Sequence, residues 1–140
     1  MNTYNINDDE FKKTDTYKEF MSNNPEVGNL RIRAYAASGA VPISGLKIVI
    51  SKNIDDYNVI FFEGYTNESG VIERIKLPTP SLNNDNLLVP NYTEYDLTAT
   101  YMPDNVNLLY KINMYEGVCV IQTINIVPKM NRNMGDNNVG

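Results

Sequence analysis

The carboxylates are the residues of this chain best suited to chemistry. Glu63, Glu73, Glu94, Asp96 and Asp104 are candidates for an acid/base pair. Catalytic carboxylates need burial or a close partner to move their pKa values. Glu63 and Asp96 fall in strand-like segments whose solvent face ordinarily carries such charges, so a solvated face is the expectation and no catalytic residue is assigned. Histidine is absent, which removes Ser-His-Asp and Cys-His catalysis, histidine-ligated metals and a histidine switch together. Cys119, the single cysteine, excludes an internal disulfide; between Val118 and Val120 it reads as a small buried hydrophobe, with an intermolecular disulfide as the alternative. Asn83-Asn84-Asp85-Asn86 and Asp104-Asn105-x-Asn107 are oxygen-rich enough to suggest Ca²⁺. Neither offers carboxylates at alternating positions with a distal bidentate Glu, so plain turns are expected, and no metal or cofactor.

Binding candidates come next. Tyr35, Tyr57, Tyr65, Tyr92, Tyr95, Tyr101, Tyr110 and Tyr115 would suit stacking on sugar rings if they formed one exposed row, which makes peptidoglycan or another glycan a possible ligand. Strand tyrosines more often lean on cross-strand neighbours, and tryptophan is absent. The run Val59-Ile60-Phe61-Phe62 is continuously apolar; such a strand is buried on both faces or prone to associate. These four residues are therefore assigned to partner binding. The formal net charge of −5 argues against nucleic acid, and no run approaches a membrane span. Asn67-Glu68-Ser69 and Asn91-Tyr92-Thr93 are formal glycosylation sequons, but the N-terminus MNTYNINDDEF has no signal-peptide character, which points to synthesis in the cytoplasm or a mother cell.

Positioning these residues requires a strand framework. The 140 residues predict one domain in three zones: an arm over 1–27, a strand-rich zone over 28–128 and a polar tail over 129–140. Period-two alternation marks strands near 29–37, 46–53, 58–65, 71–77, 94–102, 107–115 and 118–127. Their spacing predicts an all-β, seven-stranded, mostly antiparallel sandwich burying Leu30, Ile32, Ile48, Ile50, Leu97, Ala99, Ile124 and Ile126. No helix-length pattern separates neighbouring strands, so parallel pairing through βαβ units is not expected. Leu77-Pro78-Thr79-Pro80-Ser81 and the asparagine run after it read as a loop crossing between sheets. In the arm, Asp8 or Asp9 caps a short helix that carries Phe11, Tyr17, Phe20 and Met21 and ends before Pro25. Burying the last three of those side chains is worth ~4–6 kcal/mol at ~1.5–3 kcal/mol each, less than the cost of ordering about ten residues. Phe11, Tyr17, Phe20 and Met21 are therefore expected to bind a protein partner or a second copy.

A family resemblance runs through the central zone. Gly28-x-Leu30-x-Ile32-x-Ala34, Ala40-Val41-Pro42-Ile43-x-Gly45, Thr66-Asn67-Glu68-Ser69-Gly70 and Leu77-Pro78-x-Pro80-Ser81 resemble the carboxypeptidase-regulatory-like, or transthyretin-like (prealbumin-like), β-sandwich. Gly117-Val118, Gln122 and Pro128 match the closing strand of the version found at the N-terminus of spore-cortex-lytic and peptidoglycan-binding proteins of spore-forming anaerobic bacteria. No catalytic domain follows the sandwich here, so a hydrolase function does not carry over. The resemblance implies a non-catalytic structural or adaptor module of a spore or cell envelope. The alternative is an accessory module that binds cell-wall glycan and positions or restrains a lytic enzyme.

Overall fold

The computed structural model describes residues 2–83, 85, 88 and 90–127. The tail expected over 129–140, together with Pro128, Asn84 and Asn86, lies outside them. In chain order the elements are β1 (Asn2–Asn5), α1 (Asp9–Lys12), α2 (Asp15–Asn23), β2 (Glu26–Ala36), β3 (Val41–Pro42), β4 (Lys47–Ile54), β5 (Tyr57–Tyr65), β6 (Val71–Thr79), β7 (Tyr92–Tyr101), β8 (Val106–Tyr115) and β9 (Cys119–Ile126). The seven expected strands are β2 and β4 to β9; β1 and β3 are short additions. No helix among the described residues is long and apolar enough to cross a membrane.

Two sheets face each other. One runs β1-β5-β4-β7-β8; in the other, β2 lies between β9 on one side and β6 with β3 on the other. Alternation aims Leu30, Ile32, Ile48, Ile50, Leu97, Ala99, Ile124 and Ile126 into the shared core, where each is at most 1% exposed. Most pairs are antiparallel, but β2–β9 and β1–β5 are parallel. These parallel neighbours are distant in sequence: β2 and β9 are joined through other strands, and β1 and β5 through α1, α2 and β2 to β4, so neither pair is a simple βαβ unit with a local signal. Leu77, Pro78 and Thr79 are strand rather than loop: Val27 lies opposite Pro78 on an edge where the missing N–H is tolerated. The crossing between sheets begins only after Thr79. Gly70, at φ +75°, closes the Thr66–Gly70 turn against β2; a Cβ there would lie 2.4 Å from the Ala34 carbonyl oxygen.

The arm docks on its own sandwich, which corrects the expectation that it needs a partner. It forms two helices, not one. The Thr14 hydroxyl caps α2 by accepting the Tyr17 N–H at 3.1 Å and donates to the Phe11 carbonyl at 2.7 Å. Phe11 is fully buried between the rings of Tyr4, Tyr17 and Tyr57, with centroids 5.4–5.8 Å away. Phe20 packs on Phe61, which packs on Tyr95 in the core, and Met21 lies against the same cluster. The balance drawn from three side chains omitted two stabilising contributions: the Phe11 ring cluster and the backbone ladder by which β1 extends β5.

Candidate functional site

β9 is an edge strand with one side of its backbone open and no charged residue to guard it. Among the described residues it pairs only with β2, from Asn29 opposite Cys119 to Ala36 opposite Ile126. The other edge of β9 meets no described strand, so half of its N–H and C=O groups point outward without a ladder. Residues 117–127 carry no charge, and β9 contains neither proline nor an observed bulge. Even-numbered side chains turn inward, with Ile124 and Ile126 buried; Cys119, Ile121, Thr123 and Asn125 turn outward, and Ile121 is 53% exposed.

The outward face continues onto β2. Asn29, Arg31, Arg33 and Tyr35 lie beside Cys119, Ile121, Thr123 and Asn125 in register. Arg33 sits over the Tyr35 ring at 5.2 Å, and the two share a shallow concavity with Gly39, Thr123 and Asn125. Asn29 Oδ1 and Arg31 Nε are buried without a hydrogen bond; the latter lies 3.6 Å from Glu73, close enough for charge attraction only. This surface therefore combines strand backbone, apolar side chains and polar groups whose hydrogen-bonding capacity is incompletely used.

The other edges are better defended. β6, at the opposite side of the same sheet, carries Glu73, Arg74, Lys76 and Pro78, and its pairing with β2 is irregular between Leu30 and Ile32. β8 carries Lys111, whose ammonium pairs with Asp96 across the ladder; that hydrogen bond holds the amine above its ordinary pKa. β1 has only four residues.

The residues expected to bind partners lie elsewhere and are largely enclosed. Val59 is fully buried, Phe61 and Phe62 pack against the core, and Ile60 is half-buried. The cause is an irregularity between Ile50 and Ser51: Ile50 faces Phe62 and Ser51 faces Ile60, which leaves Phe61 as an extra residue. The phase shift turns both Phe61 and Phe62 toward the core, so continuous apolarity reflects packing. Phe62 also lies over Gly64, where a Cβ would come within 2.6 Å of its ring. Phe11 and Phe20 are enclosed as described, and Tyr17 and Met21 are half-buried.

The candidate carboxylates do not converge. Glu63 pairs with Lys47 at 3.1 Å, which raises the lysine pKa, and Glu73 and Asp96 serve Arg31 and Lys111 in different sheets. No group of three or more His, Cys, Asp or Glu residues that could hold a metal occurs among the described residues. Cys119 is exposed, contrary to the buried reading, because it shares the outward parity of Ile121. The tyrosines form no common platform: Tyr95 is buried and donates to the Pro78 carbonyl at 2.5 Å, Tyr57 belongs to the arm cluster, and Tyr65 is exposed at the far end of β5. Burial holds the Tyr95 hydroxyl well above its ordinary pKa. The uncharged run of β9 was visible in sequence, but its open edge depends on the non-local pairing of β2.

No family model matches the chain, and no curated protein matches it. Solved structures do. Klebsiella pneumoniae 5-hydroxyisourate hydrolase is similar over 72% of this chain and 85% of its own, at 14% identity and a TM-score of 0.50. Transthyretin from Sparus aurata is similar over 69% and 90%, at 12% identity and a TM-score of 0.43. Catechol 1,2-dioxygenase from Acinetobacter sp. ADP1 is similar over 90% and 57%, at 11% identity and a TM-score of 0.47. At 14% identity the likeness to the hydrolase is one of fold alone. The chain has a transthyretin-like β-sandwich fold with short N-terminal helices.

Proposed function

We propose that this chain is a non-catalytic structural or adaptor module that assembles by offering the open edge of β9 to a strand of another polypeptide, a second copy being the simplest partner. The observation that carries this reading is the uncharged β9 with its unpaired outer edge, opposite a β6 edge that is charged and irregular. Added strands gain backbone hydrogen bonds, while alternate side chains supply specificity. Ile121, Thr123 and Asn125 occupy those specificity positions. Two-fold antiparallel pairing of β9 with itself would bring no like charges together. A non-catalytic role accords with candidate carboxylates that are spread over both sheets, three of which, Glu63, Glu73 and Asp96, pair with cations. The resemblance in sequence adds a setting, a spore or cell envelope.

Size-exclusion chromatography with light scattering tests the reading. The unaltered chain should self-associate as concentration rises. The double variant Ile121→Lys/Thr123→Lys should remain monomeric with its β-rich circular dichroism intact, because lysines on an edge strand repel a second copy. A chain that stays monomeric throughout, or a double variant that associates equally, overturns it.

A further inference from the structure

A cleft of about 430 Å³ lies away from β9, between the C-terminal end of α2, the start of β7 and the residues Pro80, Leu88 and Pro90. Lys52 of β4 forms part of its wall. Lys52 is opposite the fully buried Val59, at the inward phase of the sheet where the sandwich core gives way to the arm. The residue is half-buried, and its ammonium donates a hydrogen bond to the Glu94 carbonyl at 2.9 Å. No described carboxylate lies within the 4.0 Å of an ion pair, in contrast to Arg31, Lys47 and Lys111. Loss of water lowers the amine's pKa; the charges of Glu94 and Asp96 oppose that shift and Lys111 adds to it. A partly desolvated cation with one neutral acceptor is an unfavourable arrangement that an incoming anion would relieve.

The rest of the cleft limits which anion fits. Phe20, Pro80 and Tyr92 give it an apolar wall, and Asn23 supplies an exposed amide. Asn24 and Thr93 are already hydrogen-bonded to each other, so they help to fix the shape. Glu94 places a negative charge on the same cleft, which disfavours a dianion and leaves room for a monoanion directed at Lys52. We propose that this cleft binds a small organic monocarboxylate, with its anionic group on Lys52 Nζ and a ring or C–H face against Phe20, Pro80 and Tyr92. The shared chemistry belongs to aromatic acids and to acidic sugars alike.

The test is a titration of the full chain followed by calorimetry and by amide shifts. Benzoate is compared with benzyl alcohol, and glucuronate with glucose. At least one acid should bind tenfold or more tighter than its neutral counterpart and move the resonances of Lys52, Tyr92 and Thr93, a charge-assisted hydrogen bond being about that strong. Benzoate alone would identify the aromatic acid, and glucuronate alone the sugar acid. Lys52→Met and Lys52→Gln should keep the fold and lose the preference for the acid. The proposal is overturned if neither acid outbinds its neutral counterpart, or if either folded variant retains the preference.

Discussion

β5 and β9 each contain an uncharged run with high β-propensity, yet the sandwich treats them oppositely. In β5, positions 59–62 are the more hydrophobic, and they are enclosed by the core, α2 and the added strand β1. In β9, positions 119–126 are more polar on the outside, and one whole edge stays open among the described residues. Hydrophobicity therefore marks the strand that is buried, whereas an unpaired edge without charge marks the strand proposed to dock. The β6 edge sharpens the contrast, since charge, proline and an irregular ladder guard it within the same sheet as β9.

The largest expected effect comes from undoing the cover on β5. Phe11→Ala should cost about 3–5 kcal/mol in urea unfolding, because it empties a fully enclosed ring site among three tyrosines. A loss below about 1 kcal/mol, the size of an ordinary exposed change, would show that the arm does not belong to the folded core. The variant should also expose the β5 edge and introduce a second mode of association, which would break the asymmetry between the two strands.

A smaller effect is expected from weakening the guard on β6. Arg74→Thr/Lys76→Thr removes two exposed charges and should raise association modestly by light scattering, because Pro78 and the irregular register remain. Association as strong as that through β9 would show that charge alone separates the two edges of this sheet.

The sandwich was legible from the sequence because alternation places Leu30, Ile32, Ile48 and Ile50 on the core side through local geometry alone. The arm was less legible: three side chains at helical spacing did not reveal the strand formed by residues 2–5 or the Phe11 cluster. Cys119 was assigned inward from its apolar neighbours, although the parity of Ile124 and Ile126 already placed it outward. The phase shift at Phe61 and the open edge of β9 were hidden for a different reason. Both depend on which strands lie beside them, and pairing between distant segments leaves little local trace.

Amide hydrogen exchange at rising protein concentration tests the central claim most directly. In a parallel pair, alternate residues direct their backbone groups toward and away from the neighbouring strand. Alternate amides within Cys119–Ile126, those directed away from β2, should exchange quickly in dilute solution and gain protection as concentration increases, while those of β6 and β8 stay unchanged. Protection that stays constant across β9, or that grows on β8 or β6 instead, contradicts the assignment of β9 as the docking edge.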